Sequence, residues 1–357
     1  MKQSNPGSSA LAAPTLRLTV LCLLAACAAS VPAAPRKSPA DSSTVTVMFE
    51  NDLFGDRDEQ YTNGFQIGWM SQDLAQFYDA ELPHWMEGLS DYLPFIDLPD
   101  STHNIGLSLG QKMYTPRDTA TPALVRDDRP YAGWLYGGLA FVSKTETRLD
   151  TVEVQLGVVG PASLAEEAQE LVHELRNLPV PQGWDNQLEN EPGVALIYEH
   201  RDRPWRSENV SGIGYDLITH AGGAVGNVFT YLNAGAEIRA GWNLPADFGT
   251  SLINPGGDTN APSAVNDPRL RNEQRFGIHG FAATTARVVL RSIFLDGNTF
   301  ADSHEVDKEY LVGDLMLGVS VTFWNTKLSY AQAFRSREFD GQDGSHNFGS
   351  LSLSITF

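Results

Sequence analysis

Cysteine is almost missing from this 357-residue chain: the two present, Cys22 and Cys27, both fall in the first 34 residues, so nothing beyond them can form a disulfide framework. Basic runs are missing too. With a formal net charge of −19 and no Lys/Arg patch, the chain lacks the surface that grips nucleic-acid phosphates, and its acidity suits cation binding or an export-tolerant surface. Beyond the leader no window approaches the roughly 18 consecutive apolar residues that a membrane-crossing helix needs. A membrane-embedded form is thereby restricted to a closed β-barrel, the other structure that satisfies its own backbone in lipid. No HExxH or Cys–His ligand pattern occurs, and serine-type hydrolysis has no motif support.

What is present begins with a leader. In residues 16–34, "LRLTVLCLLAACAASVPAA", a short apolar run follows Lys2 and Arg17 and ends in small residues at Ala-x-Ala spacing, which reads as a secretory signal over 1–34. "LAAC" (Leu24 to Cys27) also fits a bacterial lipobox that would make Cys27 the lipidated first residue, while "VPAA" offers an ordinary cleavage site. Residues 35–42 form a short leader segment, and 43–357 read as one β-rich domain.

The far end of the chain carries the clearest architectural signal. In "NFGSLSLSITF", Phe348, Leu351, Leu353, Ile355 and Phe357 stand against Ser350, Ser352, Ser354 and Thr356, with a strict period of two from position 350. A strand with one apolar and one polar face, ending on an aromatic, is what outer-membrane barrels show. Similar segments at 43–50, 62–71, 103–113, 132–143, 151–159, 192–201, 211–225, 228–242, 275–295, 307–322 and 327–338 bring the count to twelve with 345–357. The expected fold is therefore all-β, a transmembrane antiparallel barrel of about twelve strands with both ends in the periplasm. That count places the loops at 51–61, 114–131 and 160–191 at the extracellular mouth. The connections at 72–102 and 244–272 would be periplasmic and unusually long; they are read as small plug or rim helices, for example around "ELPHWMEGLSDYL".

The polar clusters fall in the three mouth loops. "FENDLFGDRDEQYTNGFQIGW" (49–69) packs Glu50, Asp52, Asp56, Asp58 and Glu59 into a hairpin tip, whose hard oxygens suit Ca²⁺ although the spacing is not that of an EF-hand; a solvated acidic turn is the other reading. "GQKMYTPRDTATPALVRDDRPYAGWLYGGL" sets Lys112, Arg117, Arg126 and Arg129 among Asp118, Asp127 and Asp128. These cations stabilise an oxyanion or hold a phosphate, or else form a set of rim ion pairs beside a turn at Pro130. In "GPASLAEEAQELVHELRNLPVPQGWDNQL" the spacing predicts a helix opened by a capping box of Ser163 and Glu166 and stopped by Pro179. Leu164, Ala168, Leu171, Val172, Leu175 and Leu178 share one face, and His173 lies on the opposite one. His173 is either a solvated histidine or, with its face turned into the barrel mouth, a base for water.

Taken in order, "FENDLFG", "YTNGFQIGW", "GQKMYTP", "DDRPYAGWLY", "GVVGPAS", "QELVH", "GWDNQLENEPG" and "AGGAVGNVFTY" resemble the lipid A 3'-O-deacylase family of outer-membrane β-barrels, the LpxR type, over nearly the whole chain from about residue 44. The resemblance implies a twelve-stranded barrel in the bacterial outer membrane, Ca²⁺ as cofactor, and lipid A of lipopolysaccharide as substrate, cleaved at its 3'-acyloxyacyl ester. It implies His173 as general base, Asn51 and Thr62 as active-site strand ends and Asp52 as Ca²⁺ ligand. The family's loop lysine corresponds to Arg126 here. The rival readings are a phospholipase-like esterase and a non-enzymatic structural or pore-forming barrel.

Overall fold

Alternation of small or polar with apolar residues gives each strand two unlike faces, and closing the sheet turns one face toward the lumen and the other toward lipid. The computed structural model describes residues 38, 41–52, 60–77, 100–208, 211–250, 252–253, 259–270 and 276–357, without the side chains of 60–62. Twelve antiparallel strands form a closed barrel in which each pairs with its sequence neighbour and the first pairs with the last. They are β1 Thr44–Asn51, β2 Gln60–Met70, β3 Thr102–Thr115, β4 Ala132–Lys144, β5 Arg148–Val159 and β6 Glu191–Glu208, followed by β7 Ile213–Gly226, β8 Phe229–Trp242, β9 Phe276–Ser292, β10 Leu311–Phe323, β11 Thr326–Arg335 and β12 His346–Thr356. The closing register runs from Thr44 opposite Thr356 to Asn51 opposite Gly349. Strand count and fold match the sequence expectation, and the expected boundaries hold to within a few residues, except that β6 runs on to Glu208.

At the seam the two faces are easily told apart. Thr44 Oγ1 and Thr356 Oγ1 lie 3.1 Å apart and Thr46 Oγ1 and Ser354 Oγ 3.0 Å apart, a polar ladder inside the barrel, while Leu351, Leu353 and Ile355 point outward. Phe348 is one exception to the expected face: it shares the lumen side with Ser350 and is fully buried, stacked on His346 at 5.6 Å. Elsewhere the outer face exposes Phe65, Ile67, Leu107, Leu109, Leu156 and Leu196, the belt that lipid requires.

The long connection after β8 fills the lumen. Asp247 accepts from Arg239 at 2.6 Å, Lys327 at 2.8 Å and Arg269 at 3.1 Å, all four side chains fully buried. Phe248 packs against Met70, Ala140, Val142 and Leu149 on one side of the lumen, and Leu252 packs with Phe281, Ala283, Met316 and Ala331 on the other. The Ile253 N–H donates to Glu50 Oε1 at 2.6 Å, so the segment reaches the penultimate residue of β1, about 20 Å along that strand from its periplasmic end. Small plug or rim helices were expected at 244–272; the described residues enter the lumen as turns and form no helix. In the other long connection, Leu74 and Phe77 lie on the outer wall against Ile105, Phe141 and Val152, and Asp73 bridges to Lys144 at 2.7 Å. The stretch around "ELPHWMEGLSDYL" and the leader with Cys27 lie outside the described residues.

Candidate functional site

The extracellular ends of β1 to β4 carry one row of outward-facing residues in register, Asn51 opposite Asn63, Asn63 opposite Met113 and Met113 opposite Gly133. Two positions below, the same face is open to lipid at Phe65 (46% exposed); four positions below Met113 it is open at Leu109 (55%). Yet Asn51, Asn63, Met113 and Thr115 are all buried. Polar groups on the lipid side of a barrel wall are therefore covered here.

Over β3 and β4 the cover comes from the loop after β5, whose Ala165 and Trp184 pack on Met113 and Tyr131. Gly160, at φ 94° with Glu189 O against its Cα, swings the chain sideways where any side chain would strike that neighbouring backbone. A 3-10 turn over Pro161–Ser163 leads into helix α1, Ala165–Arg176. The capping box is not formed: Leu164, in the left-handed region at φ 57°, stands at the N-cap, and Ser163 is buried in the preceding turn, where its carbonyl accepts from Gln111 Nε2 at 2.6 Å. Tertiary docking on the outer wall has displaced the local cap. Glu166 and Glu167 in the first turn and Arg176 in the last complement the helix dipole. Burial, with the carboxylates of Glu170, Glu167 and Asp185 nearby, pushes the Glu166 carboxyl up. Asn177 ends the helix in the left-handed conformation, with its N–H on Glu174 O and the Leu178 N–H on His173 O.

Ala165, Gln169 and His173, four residues apart, form the buried face. Ala165 sits where a Cβ on Gly133 would be and packs with Met113, Tyr131 and Trp184. Gln169 Oε1 accepts from Trp184 Nε1 at 2.8 Å, and Trp184 lies 4.9 Å from the Tyr131 ring. His173, 2% exposed, donates from Nδ1 to Pro179 O at 2.7 Å, which fixes the tautomer with the lone pair on Nε2. The face expected to enter the barrel mouth thus packs on the outside of the wall. Leu164, Leu171 and Leu175 are 54–73% exposed on the other side, because the medium beyond the wall is lipid and not water.

Asn51 ends β1 in the outward row, and Asp52, fully buried, follows it. Thr62 lies in β2, its side chain outside the described set, as do Asp56, Asp58 and Glu59 of the acidic tip. Arg126 is exposed in the β3–β4 loop. Its neighbours fit the ion-pair reading: Arg117 pairs with Asp343, Arg129 with Glu338 at 3.3 Å, and Asp118 accepts from Thr121 Oγ1 and two backbone N–H groups of its own turn. Lys112 faces the lumen. Asn63 and the carbonyl of Pro179 were not singled out from sequence; the first follows from cross-strand register, the second has no sequence signal. Among the described residues no three acidic, His or Cys side chains converge on a metal position. Contrary to the expectation that no serine motif occurs, Gly106–Gly110 spells G-x-S-x-G, but it runs along the middle of β3, where Ser108 donates to Glu153 Oε1 at 3.3 Å and no sharp strand-to-helix turn exists.

Comparison with solved structures gives LpxR from Salmonella typhimurium at 19% identity and TM-score 0.68, covering 88% of this chain and all of that one. The β-domain of the Bordetella autotransporter BrkA follows at 8% identity and TM-score 0.42, covering 88% of this chain and 99% of that one. Curated proteins yield no match. The family model described as outer membrane protein LpxR matches residues 18–357, and the chain therefore belongs to the LpxR family of outer-membrane β-barrels.

Proposed function

We propose that this barrel is an outer-membrane lipid hydrolase that removes the 3'-acyloxyacyl chain of lipid A. The observation that carries this reading is the row of buried residues on the lipid side of the wall, Asn51, Asn63 and Met113, with a helix docked over its β3–β4 end whose buried face presents His173 with its tautomer fixed. In this reading His173 Nε2 takes a proton from water as the water attacks the ester carbonyl, and the Pro179 carbonyl stabilises the imidazolium that results. No acyl-enzyme forms, in keeping with the want of a serine elbow. Asn51, Asp52 and Asn63 offer only hard oxygen donors, a chemistry that fits Ca²⁺, with Asp52 the single carboxylate and Thr62 at the neighbouring strand end. Bound there, the ion would supply positive charge to the developing oxyanion. Arg126, exposed on its loop, is given no step. The leucine face of α1 continues the lipid belt, so the helix rides among outer-leaflet acyl chains and sets an acyl ester at the depth of the histidine.

The rivals fare less well. A pore needs an open lumen, and this one holds a plug tied by Asp247 to two strands and to its own Arg269. Mass spectrometry of lipid A from cells expressing the intact protein or His173→Ala, with Ca²⁺ supplied or chelated, tests the reading. Loss of the 3'-acyloxyacyl mass that needs both His173 and Ca²⁺ is expected; the same loss from the His173→Ala protein would overturn it.

A further inference from the structure

Between plug and mouth the lumen keeps a cavity of about 70 Å³, lined by Lys112, Arg129, Arg287, Arg291 and Arg335 on the charged side and by Tyr114, Phe229 and Phe294 on the aromatic side. In a chain with net charge −19, five cations around one cavity are not what composition supplies by default.

Their counter-charges fall short. Asp314 serves both Arg287, at 2.6 Å, and Arg335, at 2.7 Å. Glu338 is shared by Arg129 at 3.3 Å and Arg335 at 3.6 Å. Glu309 also lines the cavity but is engaged by Arg337 at 3.1 Å. Among the described residues Arg291 donates to neutral oxygens, those of Asn227, Gly297 and Thr299. Lys112 is 6% exposed, with its Nζ 5.6 Å from the centroid of the Phe229 ring, and among the described residues no ion pair to it is formed. Among the described residues Arg129 Nε and Nη1 and Arg287 Nε are buried with no acceptor. A buried guanidinium N–H left unpaired costs about 1–3 kcal/mol, and such groups are retained where something else completes them.

We infer that this chamber is an anion site for a phosphate-bearing ligand entering from the extracellular side. A tetrahedral oxyanion accepts from several forked guanidinium donors at once, and a lysine held over an aromatic face adds a charge with no protein acceptor to displace. A cavity of this size admits several waters or one compact phosphate group. The site lies on the lumen side of the wall and does not depend on the proposed hydrolase reading. Its ligand is either a soluble polyphosphate or the phosphorylated sugar of a lipopolysaccharide.

Calorimetric titration of the full-length protein in detergent with sodium pyrophosphate tests this directly. One binding event per chain is expected, weakened as NaCl rises, and weakened tenfold or more by Lys112→Met or by Arg129→Gln, each checked for folding by heat-modifiable migration. A phosphorylated glucosamine binding ten times tighter than pyrophosphate would identify the lipopolysaccharide sugar as the source; equal or weaker binding would identify soluble phosphate. Absence of pyrophosphate binding to the folded parent at millimolar concentration, or equal binding by parent and both variants, would overturn the proposal.

Discussion

The two faces of one barrel wall bury polar groups in opposite ways. Inside, the plug satisfies charge with charge: Asp247 sits between Arg239, Arg269 and Lys327, and these cations outweigh the cost of its burial, holding its carboxyl far below the usual carboxylate range. Outside, at the rim of β1 to β3, the buried groups are the amides of Asn51 and Asn63, and the docked helix adds a buried histidine held by a backbone carbonyl. The first arrangement is what a structural seal looks like. The second is what a site for an amphipathic ligand looks like, since its donors are gathered on the side where lipid arrives.

Breaking the outer arrangement should have the largest consequence. His173→Ala should lower deacylation by about 10²–10⁴-fold while the barrel still migrates as a heat-modifiable species, measured by mass spectrometry of the released acid. Gly133→Leu should act nearly as strongly from a distance, because its side chain must occupy the space of Ser163 Oγ and Ala165 Cβ and lift α1 from the wall. Activity within twofold of the parent in this variant would show that the helix need not be seated.

Breaking the inner arrangement should leave chemistry alone. Asp247→Ala leaves Lys327 fully buried with, among the described residues, only the Gly249 carbonyl at 3.4 Å, while Arg239 keeps Asp216 and Arg269 keeps Asp267, at a cost of about 3–5 kcal/mol. Protease sensitivity at 243–275 and new conductance in planar bilayers should appear, with deacylation retained. A smaller effect is expected at Glu338. Its burial would raise its pKa, but Arg129 and Arg335 outweigh that and hold it below the ordinary range. The stability it lends is therefore complete above the unfolded carboxylate pKa, about 4.3, and is lost as pH falls through the lower folded value. Glu338→Gln should flatten the acid side of the heat-modification midpoint against pH. Least affected of all should be Arg126→Ala, with deacylation unchanged within about twofold, since the side chain is exposed.

Period-two patterning in the strands made the barrel legible, because lipid on one side and packed polar side chains on the other impose that alternation on nearly every strand. His173 was legible as the odd residue on an amphipathic helix. The direction in which that helix faces was not: an apolar stripe reads as buried in water and as exposed in lipid, so Leu171 and Leu175 pointed the wrong way until the wall was in place. The capping box at Ser163 failed for a related reason, local hydrogen bonding giving way to docking of Ala165 on Gly133. Lys112 and Arg126 show the limit of loop reading, since the strand residue is buried in the lumen and the loop residue is in solvent, and nothing in their spacing says so.

The central claim is that hydrolysis occurs on the lipid side of the wall. Purified protein in mixed micelles with lipid A and Ca²⁺, assayed for released acyloxyacyl acid as the parent, His173→Gln and Asp247→Ala side by side, separates the faces. Loss in His173→Gln with turnover kept in Asp247→Ala is the expected outcome. Turnover kept in His173→Gln and lost in a folded Asp247→Ala protein would place the chemistry in the lumen and contradict it.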